Sequence, residues 1–165
     1  MTVTYIFHSC YLLEFDGFSI VFDFYKDEKR DDGRFWISDY LLEKPEDLYV
    51  FCTHSHPDHF NPEILKWGLN KTNVKYIFSK EVMDSREILV YQNIVFLDKL
   101  EEYEDNRIKV KAFGSTDTGG SFVVNVSGKR FFHAGDLNNW HWNEEVPLLE
   151  STGYENSYLC QLELL

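Results

Sequence analysis

Residues 54–59, His-Ser-His-Pro-Asp-His, gather three imidazoles and a carboxylate into six positions, half of the six histidines in the chain. Imidazole nitrogen and carboxylate oxygen are the ligand types of zinc and of similar divalent cations. Along a strand, alternate side chains share a face. His54 and His56 therefore point the same way if extended geometry persists past Thr53. Pro57 ends that geometry, and the turn that follows lets Asp58 and His59 approach from another side. The pattern reads as two half-built metal sites. The competing interpretation is a polar loop with chance histidines, but three such rings crowded together without a cation are electrostatically unfavourable near neutral pH.

Several lesser candidates lie outside this cluster. His8 falls at the end of the first predicted strand, where it is either a group near the metals, as a possible ligand or an outer partner of the ligands, or a polar strand terminus. Trp140-His141-Trp142 is an aromatic patch that suits either a pocket rim, since pockets are largely apolar with a few polar groups, or the core. Cys52 lies two residues before His54 and reads as a buried core thiol rather than a thiolate ligand. His133 reads as structural. The glycine-containing loop at 114–120 has no following lysine, so it is not a Walker-type phosphate cradle.

The elements that must position these residues are mostly strands. Val3–His8, Tyr11–Phe15 and Phe18–Phe24 are apolar and rich in β-formers, and Asp16-Gly17 marks a tight turn. Leu48–Cys52 is a short buried strand that delivers the cluster at its end. Asn61-Pro62 is a helix entry, with Asn capping and Pro at the first position, and this helix is expected over Glu63–Trp67, stopping near Gly68. Further strands are expected at Val74–Phe78, Asn93–Leu97, Ile108–Phe113, Ser121–Val126 and Lys129–Ala134, with a short helix over Lys80–Ser85. Lys26–Arg34 reads as a solvated charged loop. Strands dominate, so the fold class is α+β, sheet packed with helices on one face.

Composition bounds the rest. The chain has 165 residues, enough for one domain with a real core; 44% are apolar and 17% aromatic, which argues against disorder. A net charge of −12 repels nucleic-acid phosphates, so no nucleic-acid partner is expected. The three cysteines are widely spaced and form no C-x-x-C pair. No basic leader precedes an apolar stretch at the start, and no apolar run approaches bilayer length. A cytoplasmic protein with no membrane partner is the expectation.

Thr53-His54-Ser55-His56-Pro57-Asp58-His59 resembles the H-x-H-x-D-H signature of the metallo-β-lactamase-fold hydrolases. Phe132-His133-Ala134-Gly135-Asp136 resembles the strand-end G-D of that family. Phe7-His8-Ser9 running into Tyr11–Phe15, and Gly114-Ser115-Thr116-Asp117 followed by Ser121-Phe122, are similar to the branch containing the ascorbate-6-phosphate lactonase-like proteins. The resemblance implies an αββα sandwich with the site at its edge, and one or two metal ions, zinc foremost, with iron or manganese as alternatives. His54 and His56 would hold the first metal, Asp58 and His59 the second, and Asp136 would bridge both. Asp58 would also be catalytic, orienting a metal-bound hydroxide that attacks a small ester, lactone or phosphate ester.

The family supplies a third His to the first metal from a later loop. The corresponding stretch here, Ala112–Asp117, has none; Asp117 or a nearby hydroxyl is the candidate substitute, against a plain turn-forming role for Asp117. A late His for the second metal has no counterpart after His141. The sequence is therefore expected to represent the N-terminal part of the fold at 1–142, followed by a divergent or truncated tail at 143–165, with self-association as one consequence. A relative that binds metal without turnover is the alternative function.

Overall fold

The computed structural model describes residues 1–30, 33, 36–84, 94–140 and 147–165. Two sheets face each other. The first has six strands in the order β1 (Thr2–Phe7), β2 (Cys10–Phe15), β3 (Phe18–Phe22), β4 (Asp47–Cys52), β5 (Val74–Ser79) and β6 (Ile94–Leu97). The β1–β2–β3 meander is antiparallel and the β3–β4–β5–β6 pairings are parallel. The second sheet is antiparallel, in the order β10 (Lys129–His133), β9 (Gly120–Val126), β8 (Ile108–Gly114) and β7 (Glu102–Glu104).

Period-two alternation divides the core in two. In β4, Leu48, Val50 and Cys52 face a cluster with Ile37 and Leu41 of α1 (Ile37–Glu43) and with Ile64, Leu65 and Trp67. Tyr49 and Phe51 point the other way, into the space between the sheets, where they meet Ile20, Phe22, Ile77, Val110, Phe122 and Val124. Strands buried on both faces read as near-continuous apolar runs, and that is how β3, β4 and β5 appear in the sequence.

The sequence-based strands recur with shifts of one or two residues at their ends. Residue 93, the expected start of the sixth strand, lies outside the described residues, and so does the end of the short helix expected over Lys80–Ser85; Lys80–Asp84 forms a 3₁₀ turn. The helix expected to stop near Gly68 does not stop there. A 3₁₀ turn at Pro62–Lys66, capped by the Asn61 side chain, runs into α2 (Trp67–Asn70), which carries Gly68 inside it. Tyr76 crowds that glycine: its hydroxyl accepts from the Gly68 amide at 2.9 Å, and a β-carbon there would meet it at 3.3 Å. The tail, left unassigned by sequence, forms α3 (Leu148–Leu162). Of the described helices, none is long and apolar enough to cross a membrane.

Candidate metal centre

The site lies where β1, β3 and β4 end. Since β1 and β3 are both antiparallel to β2, and β4 is parallel to β3, these three strands terminate on one edge. The β8–β9 loop and the end of β10 reach the same edge from the second sheet. Ligands in open α/β sheets gather at this carboxyl edge.

Asp23 follows β3 with a left-handed backbone, φ 45°, a conformation that Asp tolerates better than most residues. Its side chain is fully buried. Oδ1 accepts the Thr53 amide at 2.8 Å, and Oδ2 accepts the Thr53 hydroxyl at 2.7 Å. His59 Nδ1 and His133 Nε2 each lie 2.9 Å from the same Oδ2. Burial pushes the Asp23 carboxyl upward, but the His133 and His59 imidazoles beside it more than reverse this and hold it well below the usual range. An ionised carboxylate only accepts, so both imidazoles donate to it.

Those donations fix the tautomers. With its Nδ1 proton on Asp23, neutral His59 carries its lone pair on Nε2. The Thr53 hydroxyl spends its proton on Asp23 and so accepts from His54 Nδ1, 3.0 Å away. His54 then also carries its lone pair on Nε2. Both Nε2 atoms are buried and have no hydrogen-bond partner. They face Asp136: His59 Nε2 is 3.1 Å from Oδ1, and His54 Nε2 is 3.7 Å from Oδ2. Lone pairs turned toward a carboxylate repel it unless a proton or a metal cation lies between them. Burial and the neighbouring His59 depress the pKa of His54; burial also works against His59, but the Asp23 hydrogen bond and the charges of Asp23, Asp136 and Asp58 together raise it.

Two groups of donors result, each with its ligand atoms within 4.8 Å of one another: His54, His56, Asp117 and Asp136, and His8, Asp58 and His59. The His54 and His59 rings are 4.1 Å apart, so the groups adjoin. His56 Nδ1 lies 3.6 Å from Asp117 Oδ2. Asp117 also takes part in a short turn, its amide donating to Ser115 Oγ at 3.2 Å. The nitrogen and oxygen donor set, with two orphaned buried imidazole nitrogens at its centre, fits a divalent cation.

The structure brings His8, His54, His56, Asp58, His59, Asp117 and Asp136 together. Trp140 is beside them, its indole donating to the Asp136 carbonyl at 3.2 Å. His141 and Trp142 lie outside the described residues. Cys52 is buried and its thiol donates to the His54 carbonyl at 3.1 Å, a core thiol whose pKa is raised chiefly by burial. A cavity of about 380 Å³ opens next to His8 and Gly135, and its lining includes Tyr11, Phe22, Phe131 and Phe132; Trp140 is not among its lining residues.

Sequence reasoning did not identify Asp23, Glu81 or Gly119 as parts of the site, and gave Gly135 only as the glycine of the strand-end G-D. Asp23 carried one signal, a lone acid inside the apolar run Phe18–Phe24. Glu81 carried none; it holds the segment between the first two histidines by accepting from the Ser55 amide (2.9 Å) and hydroxyl (2.6 Å). Gly119 and Gly135 have positive φ and press on Thr53 and His54. A β-carbon at Gly119 would come within 2.2 Å of the Thr53 carbonyl, and one at Gly135 within 2.9 Å of the Thr53 side chain.

A family profile described as a beta-lactamase superfamily domain matches residues 2–151. The chain belongs to the metallo-β-lactamase superfamily. A UPF0173 protein of Pyrococcus abyssi is 27% identical over 146 residues, which cover 82% of this chain and 60% of that protein. Among solved structures, CmlA, a diiron β-hydroxylase from Streptomyces venezuelae, superimposes with a TM-score of 0.63 at 20% identity, covering 84% of this chain and 30% of that one. Igni18, a metallo hydrolase from the archaeon Ignicoccus hospitalis, gives 0.61 at 21% identity, covering 81% and 59%. These structures establish the shared fold. The chain spans about 60% of the length of the curated relative that it matches.

Proposed function

We propose that this protein is a metal-dependent hydrolase, with zinc as the foremost metal, acting on a small ester, lactone or phosphate ester. The observation that carries this reading is the pair of buried, partnerless Nε2 atoms of His54 and His59 turned toward the Asp136 carboxylate. His54, His56, Asp117 and one oxygen of Asp136 would hold one ion. Asp58, His59 and the other oxygen would hold a second. When bound, such ions act as Lewis acids and lower the pKa of water to near neutrality.

The chain's own residues do the rest. Asp23 and Thr53 keep His54 and His59 in the tautomers that present nitrogen lone pairs. Asp58 is about half exposed, so its free oxygen can accept a proton from a water entering the site and orient that water toward substrate. The aromatic cavity beside His8 offers an apolar wall for the substrate's body. The likeness of the Phe7-His8-Ser9 segment to the ascorbate-6-phosphate lactonase-like branch puts lactones and phosphate esters first among candidates. Three unpaired cysteines suit a reducing cytoplasm, where we place the protein.

Iron is a second reading. The donor set holds three carboxylates, Asp58, Asp117 and Asp136, which suits iron or manganese, and CmlA is a diiron protein.

The test is turnover of an ester, lactone and phosphodiester panel by the protein reconstituted separately with Zn²⁺, Mn²⁺ and Fe²⁺. Hydrolysis that Asp58→Asn lowers ~10²-fold or more is expected, the scale of a lost proton-accepting group. Metal bound in full with no turnover of any member would leave a metal-binding protein and overturn the hydrolase reading.

A further inference from the structure

His8 is the one member of the two donor groups that comes from the first strand pair. It sits in the β1–β2 turn, three residues before Tyr11, whose register partner Phe22 directly precedes Asp23. The β1–β2 register shifts between Tyr5 and Phe7, immediately before His8. An irregularity of this kind re-aims a side chain out of the ladder. The backbone of His8 is left-handed, φ 53°, the conformation that the first position of a two-residue hairpin turn between Phe7 and Cys10 takes.

The turn places the ring beside the histidine-rich segment. His8 lies edge-on to His59, with centroids 5.1 Å apart. Its Nε2 is 3.7 Å from Asp58 Oδ2. Its Nδ1 faces the Ser9 hydroxyl at 3.3 Å. One ring nitrogen is therefore occupied by a neighbour while the other is presented to the acid. Metal-binding imidazoles are arranged in this way, with one nitrogen fixed by an outer partner and the other given to the ion. A plain surface ion pair is the competing account. With side chains 43% and 50% exposed, such a pair contributes little and does not explain why the ring also stands against His59, within ligand distance of the same donor group.

Building on the metal centre proposed above, we propose that His8 is a direct ligand of the second cation. With Asp58, His59 and Asp136 it completes a set of two nitrogens and two oxygens, the number a tetrahedral zinc-type ion takes. The second ion is then held from three separate parts of the chain: the first turn, the histidine-rich segment and the end of β10.

Titrating Co²⁺ against a competing chelator tests this, with visible absorption recorded alongside, on the wild type, His8→Ala, His8→Asp and Ser9→Ala. The wild type should bind in two phases. His8→Ala should keep the first phase and weaken the second by more than the ~10–100-fold typical of an outer contact. Ser9→Ala should stay within that range, and His8→Asp, which restores a donor, should recover most of the loss. If His8→Ala binds both ions like the wild type, or loses no more than Ser9→Ala, His8 is not a ligand and the rest of the metal centre stands. If the wild type binds no Co²⁺, the centre and the His8 assignment both fall.

Discussion

Besides His133, Asp23 governs two imidazoles of the metal centre at once, directly at His59 and through Thr53 at His54. Its replacement by Asn should therefore affect both ions. An amide puts two donors where the site supplies only donors, so at least one of Thr53, His59 and His133 loses its partner. We expect Asp23→Asn to weaken binding of both cations by ~10–100-fold, the range for outer partners of metal-ligating histidines, measured by chelator competition. Unchanged affinity would mean that the tautomers are set in some other way. At this scale the sequence was legible where the chemistry is local: His54 through His59 are contiguous, and their residue types alone suggest a cation. Asp23, Glu81 and His8 act across long sequence separations, and an acid or histidine near a strand end has an ordinary solvated explanation. Only the folded chain distinguishes the two.

The strands bring those separated residues to one edge, and other residues secure the opposite edge. Asp105, in the turn between β7 and β8, accepts from Tyr49 of β4 at 2.8 Å, Lys75 of β5 at 2.7 Å and Tyr103 at 2.9 Å, and from the amides of Arg107 and Ile108 at 2.9 and 3.0 Å. Burial works against its ionisation, but Lys75 and the two amides outweigh it and hold the carboxyl well below the usual range. A depressed carboxyl stabilises the fold fully above its unfolded value of ~3.9 and loses that contribution as pH falls through the lower folded value. Asp105→Asn should thus cost about 1–3 kcal/mol at pH 7, toward the lower end because Lys75 is 43% exposed. The difference from wild type should shrink below about pH 4 in urea unfolding. A difference that holds constant down to pH 2 would contradict it. Strands were readable because β3, β4 and β5 are buried on both faces and appear as unbroken apolar runs. The continuation through Gly68 was not, because the glycine's tolerance there depends on Tyr76, which comes from the next strand. Nor was α3, where among its residues only Ser151 is buried, leaving little apolar periodicity to read.

On the scale of the whole molecule, the centre is assembled from five places: the β1–β2 turn, the end of β3, the segment after β4, the β8–β9 loop and the end of β10. Two sheets must close on each other before His54, His59 and Asp136 can meet, so binding of a cation and closure of the sandwich support one another. The measurement that tests this most directly is elemental analysis of the purified protein after equilibration with Zn²⁺ and dialysis, beside Asp136→Ala and His59→Ala. Between one and two ions per chain are expected in the wild type, with a clear loss in both variants and a lower thermal midpoint once the metal is stripped. No retained metal in the wild type, or full retention in both variants, would contradict the claim that the buried lone pairs of His54 and His59 exist to hold a cation against Asp136.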